Sequence, residues 1–150
     1  MSDGALGVER RRLTFADVEL GSSIAKAAKR AGNPYLPETA TLLEIIQETP
    51  NIKSFRVRFD DDLVQAGFSF QPGQVGQLGV LGLGEATFAI NSSPSEKEYL
   101  QFSVMQAGEV TIGLHCLSKG DKVGVRAPMG RGFPVEEWKG KNLLYILGGI

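Results

Sequence analysis

The distribution of glycine constrains this chain more than any other feature. Nineteen glycines and seven prolines fall mostly after residue 66, between short apolar runs. Glycine reaches positive φ without steric cost and proline presets φ for a turn. The spacing therefore predicts many turns joining several strands, the signature of a barrel or sandwich. A chain of 150 residues is long enough for one domain with a sizeable core.

The strand pattern begins at Thr39. Thr41 to Glu48 is a β-rich run ended by Thr49-Pro50-Asn51. Ile52 to Phe59 alternates, with Phe55, Val57 and Phe59 on one face and Ser54, Arg56 and Arg58 on the other. Asp60-Asp61-Asp62 makes the next turn and reads as a solvated loop rather than a metal site. Phe68–Phe70, Val75–Leu83, Thr87–Asn91, Tyr99–Val104 and Lys122–Arg126 are the remaining strand candidates. Thr111 to Lys119 predicts a short helix with Ile112, Leu114 and Leu117 inward and Gly120 as its stop. Leu143 to Leu147 is a continuous apolar run leading into Gly148-Gly149-Ile150, the pattern of a buried parallel strand opening a nucleotide-binding fold.

The first 36 residues read as an appendage. Ser22 to Ala31 predicts one amphipathic helix, capped by Ser22 and ended by Gly32-Asn33-Pro34. With the basic cluster Arg10 to Arg12, this segment reads as a solvated tail packing one helix on the domain, or as a docking arm for a partner subunit.

Composition excludes several classes. A net charge of −1 gives no reason to expect nucleic acid or an anionic membrane as partner. No apolar run approaches the ~18–20 residues that span a bilayer, and the N-terminus lacks the apolar stretch of a secretory signal. One cysteine, Cys116, and one histidine, His115, are too few for a structural zinc site. A lone cysteine fits a reducing cytoplasm. Cys116 reads as a small buried apolar residue and His115 as a surface one. Trp138 reads as a packing residue at a domain junction.

Four segments could carry chemistry. Phe70-Gln71-Pro72-Gly73-Gln74 is a turn feeding a strand. Gly84 to Pro94 is a strand running into the hydroxyl-rich Ser92-Ser93-Pro94 turn. Gly108-Glu109-Val110-Thr111 opens the helix, where free N–H groups and a Thr hydroxyl suit a pyrophosphate, unless Thr111 only caps its own helix. Gly120-Asp121-Lys122-Val123 leads through Arg126 to Gly132-Phe133-Pro134.

Taken with Asn33-Pro34-Tyr35-Leu36-Pro37, these segments in this order resemble the ferredoxin–NADP reductase superfamily. The branch they resemble is the flavin subunits of soluble hydrogenases (sulfhydrogenase gamma type) and of anaerobic sulfite reductase. The resemblance covers about residues 33 to 150. It implies a mainly β fold, a six-stranded antiparallel Greek-key barrel with one capping helix, binding FAD or, less often, FMN. The family motif Arg-x-Tyr-Ser falls on Ala86-Thr87-Phe88-Ala89, of which only the aromatic position is kept, as Phe88. Losing the Arg–phosphate contact is worth roughly 1.5–3 kcal/mol, about 10- to 100-fold in affinity. Backbone N–H groups around Ile90 to Ser92 and at the Thr111 helix start are expected to offset part of it. The implied cofactor-binding residues are Phe88, Ala89, Ile90, Asn91, Ser92, Gly108, Val110 and Thr111, with no catalytic side chain and no metal ligands.

The expected organisation is an N-terminal extension at 1–36, a flavin barrel at 37–140, and at 141–150 the first strand of an NAD(P)-binding domain. The expected function is electron transfer between NAD(P)H and a partner redox subunit, such as an iron–sulfur, hydrogenase or sulfite-reductase-like subunit. NAD(P) binding is expected only where the nucleotide domain is supplied, and an iron–sulfur cluster is not expected. The competing expectation is a flavin-free barrel acting as an adaptor in a redox complex.

Overall fold

The computed structural model describes residue 33 and residues 35–146. The expected helix at 22–31 and the Gly148-Gly149-Ile150 segment lie outside the described residues. The chain divides into Met1–Leu36 and Pro37–Ile150, and the elements below all belong to the second unit.

Six strands form one antiparallel sheet in the order β4-β3-β6-β1-β2-β5. They are β1 (Glu38–Thr49), β2 (Ile52–Phe59), β3 (Val75–Val80), β4 (Gly84–Ala89), β5 (Leu100–Met105) and β6 (Lys122–Met129). β1 and β2 form a hairpin around the predicted Pro50-Asn51 turn, with Phe55 opposite Ile45 and Val57 opposite Leu42. β6 returns from the far end of the chain to pair with both β1 and β3. The sheet thus joins the β1–β2 and β3–β4 hairpins through its last strand.

Period-two alternation builds the core. Ala40, Leu42, Phe55, Val57, Phe59, Leu78, Leu100, Phe102, Val104, Val123 and Val125 point to one side and are almost wholly buried. Leu114 reaches them from α2 (Glu109–His115). Gly76 is the close approach that lets β3 pack, since a Cβ there would meet Ala127 Cβ at 3.0 Å and Phe102 at 3.1 Å.

Several expectations are corrected. The Asp60–Asp62 turn is not only a loop: Asp61 caps a helix, α1 (Asp62–Gly67), accepting from Leu63 N–H at 3.0 Å. That helix consumes the chain before Phe68–Phe70, which forms no strand; instead its rings stack toward Phe59. Ser54 is fully buried although it lies on the face opposite Phe55, and its hydroxyl meets that of Ser103 at 2.8 Å. Helix α2 spans Glu109–His115 rather than Thr111–Lys119; Ile112 is exposed rather than inward, and Cys116 lies at the C-cap, exposed rather than buried. His115 is half-buried, its Nε2 bonded to Val104 O at 2.9 Å and its ring against Phe55. Leu143 to Ile146 forms no strand and is exposed, because no strand among the described residues pairs with it. A third, one-turn helix, α3 (Val135–Trp138), sets Trp138 against Phe133. No helix among the described residues is long and apolar enough to cross a membrane.

Candidate functional site

β4 is an edge strand, and its two faces differ in chemistry. Across the ladder, Ala86 pairs with Leu78 and Phe88 with Gly76, while Leu78 pairs in turn with Val125. Leu78 and Val125 are core residues, so Ala86 and Phe88 stand on the core-facing row. Both are only half-buried, because an edge strand has a neighbour on one side alone. The alternate residues Glu85, Thr87 and Ala89 are exposed.

Helix α2 meets the start of this row. A Cβ on Gly84 would lie 3.8 Å from Val110 Cγ2, so the helix opening and β4 touch where β4 begins. From Gly84 to Phe88 the strand then runs about 14 Å. The row therefore meets the Val110 side chain of α2 at one end, with a small residue at Ala86 and an aromatic ring at the other.

Thr111 organises the helix start. Its Oγ1 accepts from the N–H groups of Ala107 at 2.9 Å and Gly108 at 2.8 Å, and donates to Gly108 O at 2.8 Å. The hydroxyl is thus committed to capping. The amides of Glu109, Val110 and Thr111, in the first turn, have no intrahelical acceptor to bond.

Beyond Phe88 the chain turns structural. Ile90 is a core residue and its N–H donates to Gln74 O at 3.2 Å. Asn91 N–H donates to Gln101 O on β5 at 2.9 Å, and Ser92 Oγ accepts from Gln101 N–H at 3.2 Å. Asn91 Nδ2 donates to Ser103 Oγ at 2.6 Å. Two of the amides expected to assist a pyrophosphate, those of Ile90 and Asn91, are therefore already bonded. Through Asn91 and Ser92 these contacts tie the chain just beyond β4 to β5, the other end of the sheet.

The eight candidate residues thus fall into three places. Phe88 and Ala89 lie on β4, and Gly108, Val110 and Thr111 open α2, where Val110 touches the same strand. Ile90, Asn91 and Ser92 hold the junction with β5. Sequence reasoning missed Gly84, whose role depends on a helix 26 positions away in the chain and on no local motif.

An open groove among the described residues begins at Gly84, the start of this row, and extends over residues of the solvent face such as Gly79 and Glu85. It is lined by Pro37, Thr39, Gly79, Leu81, Lys122 and Gly124 among others, and none of the eight residues reaches it. That solvent face also carries a firmly fixed cation. Arg126, 15% exposed, bonds Glu85 and Gln77, so it stands on the face opposite the Ala86–Phe88 row.

No family model matches the chain. It is 41% identical over 118 residues to the sulfhydrogenase 1 gamma subunit of Pyrococcus furiosus, covering 79% of this chain and 40% of that one. It is 37% identical over 114 residues to a probable dihydroorotate dehydrogenase B electron transfer subunit of Methanocaldococcus jannaschii, covering 76% and 38%. The chain spans about two fifths of the length of these curated relatives. Among solved structures, a ferredoxin-NADP+ reductase of Plasmodium falciparum superposes with a TM-score of 0.55 at 13% identity, covering 67% of this chain and 42% of that one. At that identity the match shows a shared fold.

Proposed function

We propose, from its homology to sulfhydrogenase gamma and dihydroorotate dehydrogenase B electron transfer subunits and from its ferredoxin-reductase-type β fold, that this chain is a flavin-binding electron-transfer domain. The observation that carries the reading is the row Gly84–Ala86–Phe88, half-open along an edge strand and meeting the Val110 side chain of α2 at one end. The residues fit a flavin in two parts. A half-buried aromatic ring offers a packing surface for an isoalloxazine, and first-turn amides offer donors to a diphosphate.

When bound, a flavin supplies acceptance of electrons as a hydride pair and their release one at a time. The chain supplies position. Phe88 fixes the ring plane, and Ala89 leaves an open edge where the family carries a hydroxyl. Gly84, at a φ of 103°, starts the strand beside Val110, and the amides of Glu109, Val110 and Thr111 are the proposed diphosphate donors. Thr111 contributes by holding Ala107 and Gly108 in the capped conformation that presents those amides. FAD is the proposed form, with FMN the less frequent family alternative.

The proposed partner is a redox subunit of a larger complex, as the relatives' names describe for them. Residues 37–140 are the flavin domain in this reading. Residues 141–150 lead into a nucleotide-binding domain, whose sheet would cover the exposed Leu144 and Ile146.

A flavin-free adaptor is favoured by one observation: the amides of Ile90 and Asn91 and the Thr111 hydroxyl are already bonded within the protein. Incubation of the purified chain with FAD, followed by desalting, separates the two. Retention of the yellow chromophore, released as FAD on denaturation, supports the flavin domain. A protein that stays colourless supports the adaptor.

A further inference from the structure

A flavin seated beside Phe88 needs an opening of fixed width there. β4 and β5 are the two ends of the sheet, and their recorded bonds lie beyond the end of β4. Asn91 makes two of them, through its N–H to Gln101 O and through Nδ2 to Ser103 Oγ at 2.6 Å. Ser103 is in turn held by Ser54, whose hydroxyl lies 2.8 Å away and is fully buried on β2. A buried hydroxyl that loses its partner is disfavoured, so the Ser54–Ser103 contact is kept whichever hydroxyl donates. Asn91 lies three residues from Phe88, a distance of roughly 10 Å along an extended strand with no intervening turn. Its anchorage therefore fixes how far the free edge of β4 stands from β5.

We propose that Asn91 and Ser103 form a seam latch, seated on Ser54, that holds the Phe88 row at the separation a flavin ring requires. Both are positioning residues. The proposal rests on the flavin reading for its ligand, but the latch itself is a property of the flavin-free chain.

The experiment has two arms. In the flavin-free protein, amide hydrogen exchange is followed in wild type and in Ser103→Ala. The Asn91 amide is expected to exchange at least about tenfold faster in the variant, with the β1–β2 amides unchanged. In the second arm FAD is titrated by visible circular dichroism. Ser103→Ala is expected to weaken binding about tenfold and to diminish the induced flavin signal at saturation. Ser103→Thr, which keeps the hydroxyl, is expected to restore both. Ser54→Ala removes the seat and is expected to weaken FAD in the same direction as Ser103→Ala. Gln65→Leu, which removes buried hydrogen bonds away from the seam, is expected to bind FAD within about threefold of wild type. Unchanged Asn91 exchange in Ser103→Ala overturns the latch, whether or not wild type binds FAD. Equal weakening by Gln65→Leu and Ser103→Ala also overturns it, since the effect would then be general destabilisation. Wild type that binds no FAD, with Asn91 exchange accelerated as expected, sinks the flavin reading and the positioning role but leaves the junction itself.

Discussion

Arg126 on β6 reaches over β3 and bonds both carboxylate oxygens of Glu85 on β4. Gln77, on the strand between them, accepts from the same guanidinium. The cation is thereby fixed on the solvent face, opposite the Ala86–Phe88 row.

This pair makes stability depend on pH. Hydrogen bonding to Arg126 holds the Glu85 carboxyl below its ordinary value of 4.5. A depressed folded value means the contribution is complete above about 4.5 and is lost as pH falls through the lowered value. Glu85 is 38% exposed, so the pair is worth at most about 1 kcal/mol. Thermal midpoints of wild type and Glu85→Gln should therefore differ at pH 7 and converge toward pH 3. A difference that grows on acidification would contradict the assignment.

Gln65 is the second prediction. Its carboxamide is 7% exposed, accepts from Phe59 N–H at 2.8 Å and donates to Lys97 O at 2.7 Å. It ties the end of β2 to the loop preceding β5. Replacing it by Leu leaves a buried donor and an acceptor unpaired, which costs about 2–4 kcal/mol. Urea unfolding of Gln65→Leu should show that loss; a change under about 0.5 kcal/mol would show that water reaches both groups.

Gly73 tests the strap that follows β6. Its φ is 90°, and a Cβ there would lie 2.7 Å from Phe133 Cδ2. Phe133 N–H also donates to Pro72 O at 2.7 Å, fastening the strap to the turn. Gly73→Ala should lose about 2–3 kcal/mol, from the contact and from the left-handed backbone together. Adding Phe133→Ala relieves the contact alone, so in a double-mutant cycle about 1 kcal/mol of the Gly73→Ala cost should remain. A cycle that removes the whole cost would mean the backbone there relaxes freely.

The strands are legible where alternation is local. Phe55, Val57 and Phe59 share a face because every second residue of β2 does, and Pro72-Gly73 marks a turn by its own stereochemistry. What stays hidden depends on distant partners. The alternation gives Ser54 only a face, with Arg56 and Arg58, and its buried hydroxyl pair appears once Ser103, 49 positions away, is placed beside it. Helix α1 has six residues, too few for a 3.6-residue period to stand out from the acidic turn that caps it. Cys116 reads as buried from its type as a small apolar residue, but at the C-cap, where its N–H still bonds Ile112 O, its side chain is exposed. In the site, the motif alone points to Phe88, but the use of Asn91 and Ser92 as a junction requires knowing that β5 lies beside them.

The central claim is that the Ala86–Phe88 row, and not the opposite face of β4, receives the flavin. The direct measurement is the FAD dissociation constant of Ala86→Arg beside that of Thr87→Arg, by fluorescence titration at fixed ionic strength. The two guanidinium groups would sit on adjacent residues and opposite faces. Ala86→Arg, restoring a charge-assisted phosphate contact, is predicted to tighten FAD about 10- to 100-fold. Thr87→Arg should leave it within about threefold of wild type. Equal tightening by both, or tightening by Thr87→Arg alone, would contradict the assigned face.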